Sequence, residues 1–222
     1  MPPNSHRPSR LEQVLHPGNP GPTVVVDYAH TPDAVARALE AVRPACRGRL
    51  WIVLGCGGDR DPSKRAPMGR IAAEAADIFI ATSDNPRSED PPTIVAQMLA
   101  GVPPRPRAHV REIVDRAAAI DHAVSTAAPD DLVLIAGKGH EDYQILGTTK
   151  IHFDDREEAA AAIALRPRFH LDGIAAALGG AVDRPDVVCS RITIDGRRAA
   201  PGDLYVAIRG ETHDGHAFAA QA

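Results

Sequence analysis

The chain has 222 residues, enough for one large domain or two modest ones, and 44% of them are hydrophobic, so a sizeable core can be buried. A formal net charge of −4 with no basic run argues against a nucleic-acid surface, and no apolar run approaches the ~20 residues that a membrane-spanning helix needs. Cys46, Cys56 and Cys189 lack the paired spacing of a disulfide framework or a zinc site, and residues 1–8 are polar and Pro-rich without the apolar segment of a secretory signal, so the chain reads as cytosolic.

Residues 1–8 read as disordered. Thr23-Val24-Val25-Val26-Asp27 is a β-branched run and predicts a buried strand. Thr31 and Pro32 suit the cap and first turn of a helix over 32–42, where Val35, Ala38, Leu39 and Val42 fall at helical spacing. A strand at 50–54, a glycine loop and a helix over 67–76 follow, then a strand at 78–82 and a helix over 92–100. A Pro-rich tract at 102–106 returns the chain to a short strand at 109–113, a helix over 115–127 and a strand at 132–136. Residues 143–146 and 150–153 flank Gly147-Thr148-Thr149 as a hairpin, and a helix over 155–164 closes the unit. This alternation predicts an α/β fold: a Rossmann-like, mostly parallel sheet with right-handed crossovers, to which the hairpin adds an antiparallel edge.

Beyond a linker at 165–169 the pattern changes. A short helix over 170–178 ends at Gly179-Gly180, and a strand at 189–194, a turn at 195–202 and a strand at 204–208 follow. Residues 170–222 therefore predict a small, incomplete α+β module. No internal repeat is present.

The chemistry gathers at strand ends, where open α/β sheets bind their ligands. Leu132-Val133-Leu134-Ile135-Ala136 runs into Gly137-Lys138-Gly139-His140-Glu141, strand 50–54 into Gly55-Cys56-Gly57-Gly58-Asp59-Arg60-Asp61, and strand 78–82 into Asp84-Asn85-Pro86-Arg87. The 55–61 loop has glycines enough to cradle a phosphate on backbone N–H groups, but it lacks the Gly-x-Gly-x-x-Gly order and the Gly-Lys-Ser/Thr ending, so a tight turn with solvated charges is an equal reading. Arg60 and Arg87 as a pair suit a ligand with carboxylates, because guanidinium forks bind them bidentately. The alternative is that each arginine pairs with a neighbouring acid such as Asp59, Asp61 or Glu89. Glu141 and Lys138 can orient an amine and an anion, or Glu141 can pair with Arg156. His30 and His140 follow strand ends, where a lone histidine is more often structural than a base. No Asp/Glu/His/Cys group has metal-ligand spacing, and there is no Ser-His-Asp order around a nucleophile elbow. Spacing alone gives an anion- and amine-binding α/β domain, and no reaction.

Taken together, Asp27-Tyr28-Ala29-His30-Thr31-Pro32-Asp33, the 55–61 loop, Asp84-Asn85-Pro86-Arg87 and Gly137-Lys138-Gly139-His140-Glu141-Asp142-Tyr143-Gln144 resemble the Mur ligases. Residues 9–164 are similar to the C-terminal domain of the branch that adds diaminopimelate. The resemblance implies that Arg60, Asp84, Asn85, Arg87, Gly137 and Glu141 hold meso-diaminopimelate, the Asn-Pro-Arg loop reading the carboxylate that lysine lacks. It implies that Asp27, Tyr28 and His30 contact the nucleotide, together with Arg10, which here follows Ser9 in place of the family's usual glycine. The tail, with Ile192-Thr193-Ile194-Asp195-Gly196-Arg197, Pro201-Gly202-Asp203-Leu204-Tyr205 and Asp214-Gly215-His216, resembles the N-terminal domain of the Mur ligase that adds D-alanyl-D-alanine, with Gly196 where a serine is usual. There Asp195, Arg197, Asp214 and His216 are implied contacts to a UDP-linked substrate.

The implied parent reaction is ATP-dependent amide formation in peptidoglycan precursor synthesis. ATP and Mg2+ activate the D-glutamate carboxylate of UDP-MurNAc-L-Ala-D-Glu as an acyl phosphate, and the diaminopimelate amine attacks it. The central ATPase domain, with its Gly-Lys-Thr loop and magnesium ligands, is missing from this sequence, so the chain is expected to contribute no catalytic residue or metal site and to be inactive alone. Two other readings stand beside this one: a non-catalytic module that binds diaminopimelate or a UDP precursor, and an unrelated nucleotide-dependent α/β enzyme.

Overall fold

The structure, a computed structural model, describes residues 11–14, 21–166, 169–184, 187–189, 191–199, 202–210 and 214–220. The segment expected to be disordered, 1–8, lies outside them, as does Arg10.

Six strands form the main sheet: β1 (Leu11–Val14), β2 (Thr23–Asp27), β3 (Leu50–Cys56), β4 (Ile78–Ser83), β5 (His109–Glu112) and β6 (Leu132–Ala136), in the order β1-β2-β6-β3-β4-β5. All neighbours are parallel except β1, which runs antiparallel to β2. The central strands are buried on both faces, which is why they read as unbroken apolar runs. Along β3, Leu50, Ile52, Leu54 and Cys56 pack into one core with helices α1 (Pro32–Val42), α2 (Arg65–Ala75) and α3 (Pro91–Leu99), through Val35, Leu39, Met68, Ala72, Ile94 and Met98. Trp51 and Val53 point the other way, to α4 (Arg116–Thr126) and α5 (Asp155–Leu165), meeting Ile120, Val124, Ala159 and Ile163.

Helix starts follow capping chemistry. Thr31, Asp90, Asp115 and Asp154 each accept a backbone N–H of the helix that follows, and Pro32 and Pro91 occupy first-turn positions where no hydrogen bond is lost. Helix α2 begins earlier than expected, at Arg65, because Pro67 is tolerated within the first turn.

The hairpin of β7 (Tyr143–Leu146) and β8 (Thr149–His152) is antiparallel, as expected, but forms its own two-stranded sheet. The antiparallel edge of the main sheet is β1 instead. Beyond α5, β9 (Phe169–His170) pairs antiparallel with β10 (Val188–Cys189) around α6 (Leu171–Leu178), so the expected linker is in part helix and strand. In the tail, β11 (Arg191–Thr193) and β12 (Asp203–Tyr205) pair in parallel. None of the helices in the described residues is long and apolar enough to cross a membrane.

Candidate functional site

Strand order brings the three charged loops together. Because β3 lies between β6 and β4, the loops that leave their carboxyl ends are neighbours, and the β2 loop flanks that of β6. Register sets them level: Cys56 pairs with Ser83, and Leu54 and Asp27 both pair with Ala136.

Beneath the loops sits a buried ion pair that spacing did not reveal. Arg116 donates to both carboxylate oxygens of Asp155 at 2.7 and 2.6 Å, with both side chains fully buried. Its remaining hydrogens reach Ser83 O and Ala136 O, each at 3.2 Å, the last carbonyls before Asp84 and Gly137. Two strand ends are thereby tied to one guanidinium. Asp155 keeps the charge compensated, without which its burial would be prohibitive.

Above this floor, Asp84 and Asn85 are nearly buried while Arg87 is half-buried. Gly137 adopts φ +121, where a Cβ would also stand 2.8 Å from Asp84 Oδ2, so glycine is required on two counts. The Asp84 carboxylate makes no hydrogen bond or ion pair among the described residues. Asn85 Nδ2 donates to Glu141 Oε2 at 2.9 Å, and Asn85 Oδ1 accepts the Ile145 N–H at 2.9 Å. Its amide thus orients Glu141 and anchors the hairpin, in addition to any contact with a ligand. Arg87 takes φ +54 and donates through one terminal nitrogen to Gly58 O at 2.7 Å and Asn85 O at 3.3 Å. Its other guanidinium nitrogens make no hydrogen bond among the described residues. Neither does Arg60, which is exposed.

The acids that were alternative partners for these arginines are engaged elsewhere. Glu89 takes a two-pronged bond from the buried Arg65, both contacts 2.8 Å, and its carboxyl is held at about 2 by those bonds and by the Asp59 N–H. Asp59 accepts from Ser88, and Asp61 caps the 3-10 turn at Pro62–Lys64. Arg65 also donates to Gly57 O at 3.2 Å and Gln97 at 2.6 Å, bracing the β3 loop against the β4 loop. Neither Arg60 nor Arg87 therefore forms an ion pair with these acids among the described residues, and both lie on the strand-end loops that also carry Asp84 and Glu141.

Lys138 is not available to a ligand. Its side chain is fully buried, its ammonium donates to Tyr143 O and stands 3.8 Å from Glu141, and desolvation lowers its pKa against the opposing pull of Asp84. Glu141 pairs with Lys138 rather than with Arg156, which bonds Asp154.

On the β2 side, Asp27, Tyr28, His30, Thr31, Leu11 and Arg37 help line a cavity of about 520 Å3. The expected nucleotide segment is thus concave and accessible, with Leu11 on its rim. Tyr28 is exposed, its ring edge-to-face with His30 at 4.5 Å and 5.5 Å from His140; burial, then Glu141, raise its phenol pKa. His30 is oriented through Nδ1, 2.7 Å from Tyr28 O.

In the tail the four candidate residues pair locally. Arg197 forks Asp195 with both contacts 2.9 Å, and Asp214 accepts from His216 Nδ1 at 2.6 Å and Arg209 at 3.1 Å. Among the described residues no group of three or more His, Cys, Asp or Glu side chains is placed to hold a metal ion.

A mostly parallel sheet whose carboxyl edge gathers loops bearing arginines and carboxylates, with a concave aromatic loop alongside, defines an α/β domain with a candidate ligand site at its strand ends. Comparison with known proteins gives its kinship. Residues 9–139 match the family described as Mur ligase, glutamate ligase domain, and residues 189–222 match Mur ligase family, catalytic domain. The chain belongs to the Mur ligase family. It is 58% identical over 159 residues to the UDP-N-acetylmuramoyl-L-alanyl-D-glutamate–2,6-diaminopimelate ligase of Synechococcus elongatus, covering 72% of this chain and 31% of that protein. The ligase of the same name from Prochlorococcus marinus is 56% identical over 169 residues, covering 75% of this chain and 32% of that one. A solved structure of a ligase of this name superposes with a TM-score of 0.64 at 43% identity, over 71% of this chain and 31% of the other. The chain therefore spans about a third of the length of these relatives.

Proposed function

We propose that residues 9–164 form the amino-acid-binding part of an ATP-dependent ligase that adds meso-diaminopimelate to UDP-MurNAc-L-Ala-D-Glu. The observation that supports this reading is the pair of arginines, Arg60 and Arg87, that make no ion pair with a carboxylate among the described residues and lie on the same cluster of strand-end loops as the carboxylates of Asp84 and Glu141. Diaminopimelate has at each end a carboxylate and an ammonium, and one end fits this arrangement. Arg87 forks its carboxylate, aided by Arg60, while Glu141 and Asp84 take its ammonium beside the open backbone of Gly137. Asn85 serves by fixing Glu141. Lysine presents the ammonium without the carboxylate and would leave Arg87 unpaired, a mismatch that discriminates strongly.

The amine at the other end of the bound molecule attacks the acyl phosphate of the D-glutamyl group. The C–N bond forms as inorganic phosphate leaves, and the amine loses a proton. This domain supplies position and charge rather than a base. Asp27, Tyr28 and His30 line its nucleotide edge, and Arg10 is assigned to the same nucleotide by resemblance. ATP and Mg2+ activate the carboxylate on a central domain whose Gly-Lys-Ser/Thr loop is absent from these 222 residues, so the isolated chain does not turn over. Residues 170–222 are read as the start of a D-alanyl-D-alanine-adding ligase, with Asp195, Arg197, Asp214 and His216 directed to the UDP-linked substrate. A reaction that consumes ATP and a UDP-linked precursor assigns the chain to the cytoplasm.

Amide-resolved titration with meso-diaminopimelate and with lysine tests the reading. Shifts at Arg60, Asn85, Arg87 and Glu141 with diaminopimelate and not with lysine are expected. Equal shifts with both would remove the role of the Asn-Pro-Arg loop.

A further inference from the structure

We infer that Gln144, on the hairpin, is a positioning residue that sets the aim of Arg87 and thereby discriminates between diaminopimelate and lysine. The inference rests on the functional reading above and adds to it a residue that does not touch the ligand.

The loop Asp84 to Arg87 leaves the sheet at the end of β4, and beyond Ser83 no sheet partner holds it. The β3 loop holds it on one side, through Gly58 N to Asn85 O at 2.9 Å, and the hairpin on the other. Gln144, nearly buried, donates through Nε2 to Asp84 O at 2.6 Å. The next residue donates from Ile145 N to Asn85 Oδ1 at 2.9 Å and accepts the Arg87 N–H on Ile145 O at 3.0 Å. Gly147 N donates to Arg87 O at 2.8 Å, completing a parallel bridge between Arg87 and Leu146. Residues 144, 145 and 147 thus grip residues 84, 85 and 87 in register, one strand laid along one loop.

This grip bears on specificity because of where Arg87 sits. A non-glycine residue at φ +54 is in a sparsely populated conformation and stays there only if its surroundings over-determine it. The two backbone bonds from the hairpin do so, and they fix the direction in which the guanidinium leaves the chain. Among the described residues, Gln144 contributes the one side-chain bond from hairpin to loop backbone, at the root of the loop. It sets the register of the strand that carries the other contacts. The opposite strand, β8, is exposed along its length and supplies no comparable anchor. Release of the Gln144 bond lets the hairpin slip relative to Asp84. The Arg87 fork then loses alignment with a carboxylate, where bidentate geometry is exacting. Glu141 is tied down separately, through Asn85 and Lys138, so its hold on an ammonium is less affected.

The test compares the 222-residue chain with its Gln144→Ala and Gln144→Glu variants, measuring meso-diaminopimelate and lysine affinities by calorimetry and recording amide spectra without ligand. Glutamate keeps the shape and loses the donor, so it remains informative if alanine disturbs folding. Both variants are expected to bind diaminopimelate about tenfold more weakly, the effect of losing one hydrogen bond to the loop, while lysine binding is unchanged. The Asn85 and Arg87 amides should shift in the unliganded spectrum while those of β3 and β6 stay in place. A merely structural residue would weaken both ligands alike and leave their ratio intact, and that result overturns the inference. A parent chain that does not prefer diaminopimelate overturns the functional reading, and this inference with it. A parent preference retained in both variants overturns the inference alone.

Discussion

Asn85 and Glu141 lie 56 positions apart and meet through one hydrogen bond, 2.9 Å from amide nitrogen to carboxylate oxygen. The bond bridges the loops of β4 and β6 across the end of β3, so a residue of the Asn-Pro-Arg motif fixes a group on a different strand end. The same amide accepts the Ile145 N–H, joining the hairpin to both loops. Motif residues that resemble direct ligands can thus act by holding one another.

Asn85→Asp separates those tasks. Aspartate still accepts the Ile145 N–H but sets a second carboxylate against Glu141. Hydrogen bonds to charged groups are worth about 2 kcal/mol, so meso-diaminopimelate affinity should fall roughly thirtyfold. Calorimetric titration checks this, and an unchanged affinity would show that the Asn85–Glu141 bond does not orient the ligand group.

Gly137→Ala addresses backbone rather than side chain. At φ +121 an alanine is strained, and its Cβ would press on Asp84 Oδ2 at 2.8 Å. Strain of this kind costs of order 1–3 kcal/mol, so the urea midpoint should drop measurably and diaminopimelate binding with it as Asp84 is displaced. A variant as stable as the parent would mean that the loop relaxes freely and that glycine is not required there.

How much of this was legible depended on whether a feature was local. The runs Val24-Val25-Val26, Leu50 to Leu54 and Leu132 to Ala136 announce strands because burial on both faces leaves no polar alternation, and Thr31-Pro32 announces a helix start because capping is decided within four residues. The three loops could be seen as a site because each follows such a run. Strand β1 could not: Leu11-Glu12-Gln13-Val14 has two apolar residues and takes its form from pairing with β2. Nothing in the local sequence marks Arg65 and Arg116 as buried, since arginine is seldom buried, and the acids that allow their burial are 24 and 39 positions away. For Gln144 the alternation of residues 143–146 reveals a hairpin but not the loop against which it lies.

Arg116→Met probes the buried pair directly. Removing one partner leaves Asp155 charged and uncompensated, and also frees Ser83 O and Ala136 O from their donor. Breaking such a pair costs about 3–5 kcal/mol, whereas the double variant Arg116→Met with Asp155→Leu should recover much of the loss, because apolar replacements of buried pairs are often neutral. Chemical denaturation of the two variants distinguishes these outcomes. A double variant no more stable than the single one would mean that tying the strand ends, rather than charge compensation, is the pair's contribution.

Asp77 gives the fold a defined acid limb. Its carboxylate accepts from Arg43 at 2.7 Å, the Leu50 N–H at 2.8 Å and Arg107 at 2.9 Å, pinning the start of β4 to β3 and to the segment before β5. Burial alone would raise this carboxyl, but the hydrogen bond from Arg43 leads the groups that outweigh it and hold the pKa at about 2, against an ordinary 3.8. A folded-state pKa below the unfolded one means that the folded form binds the proton more weakly, so the stabilisation is fully present above the ordinary value. It is lost as the pH falls from about 4 towards about 2. Asp77→Asn, which keeps the shape and loses the charge, should melt lower than the parent at neutral pH and show a shallower decline across that window. Melting temperatures at about pH 7, about pH 4 and about pH 2.5 decide the matter. Parallel curves for parent and variant would mean that the acid limb belongs to other carboxylates, of which Glu89, bound by Arg65, is the next to test.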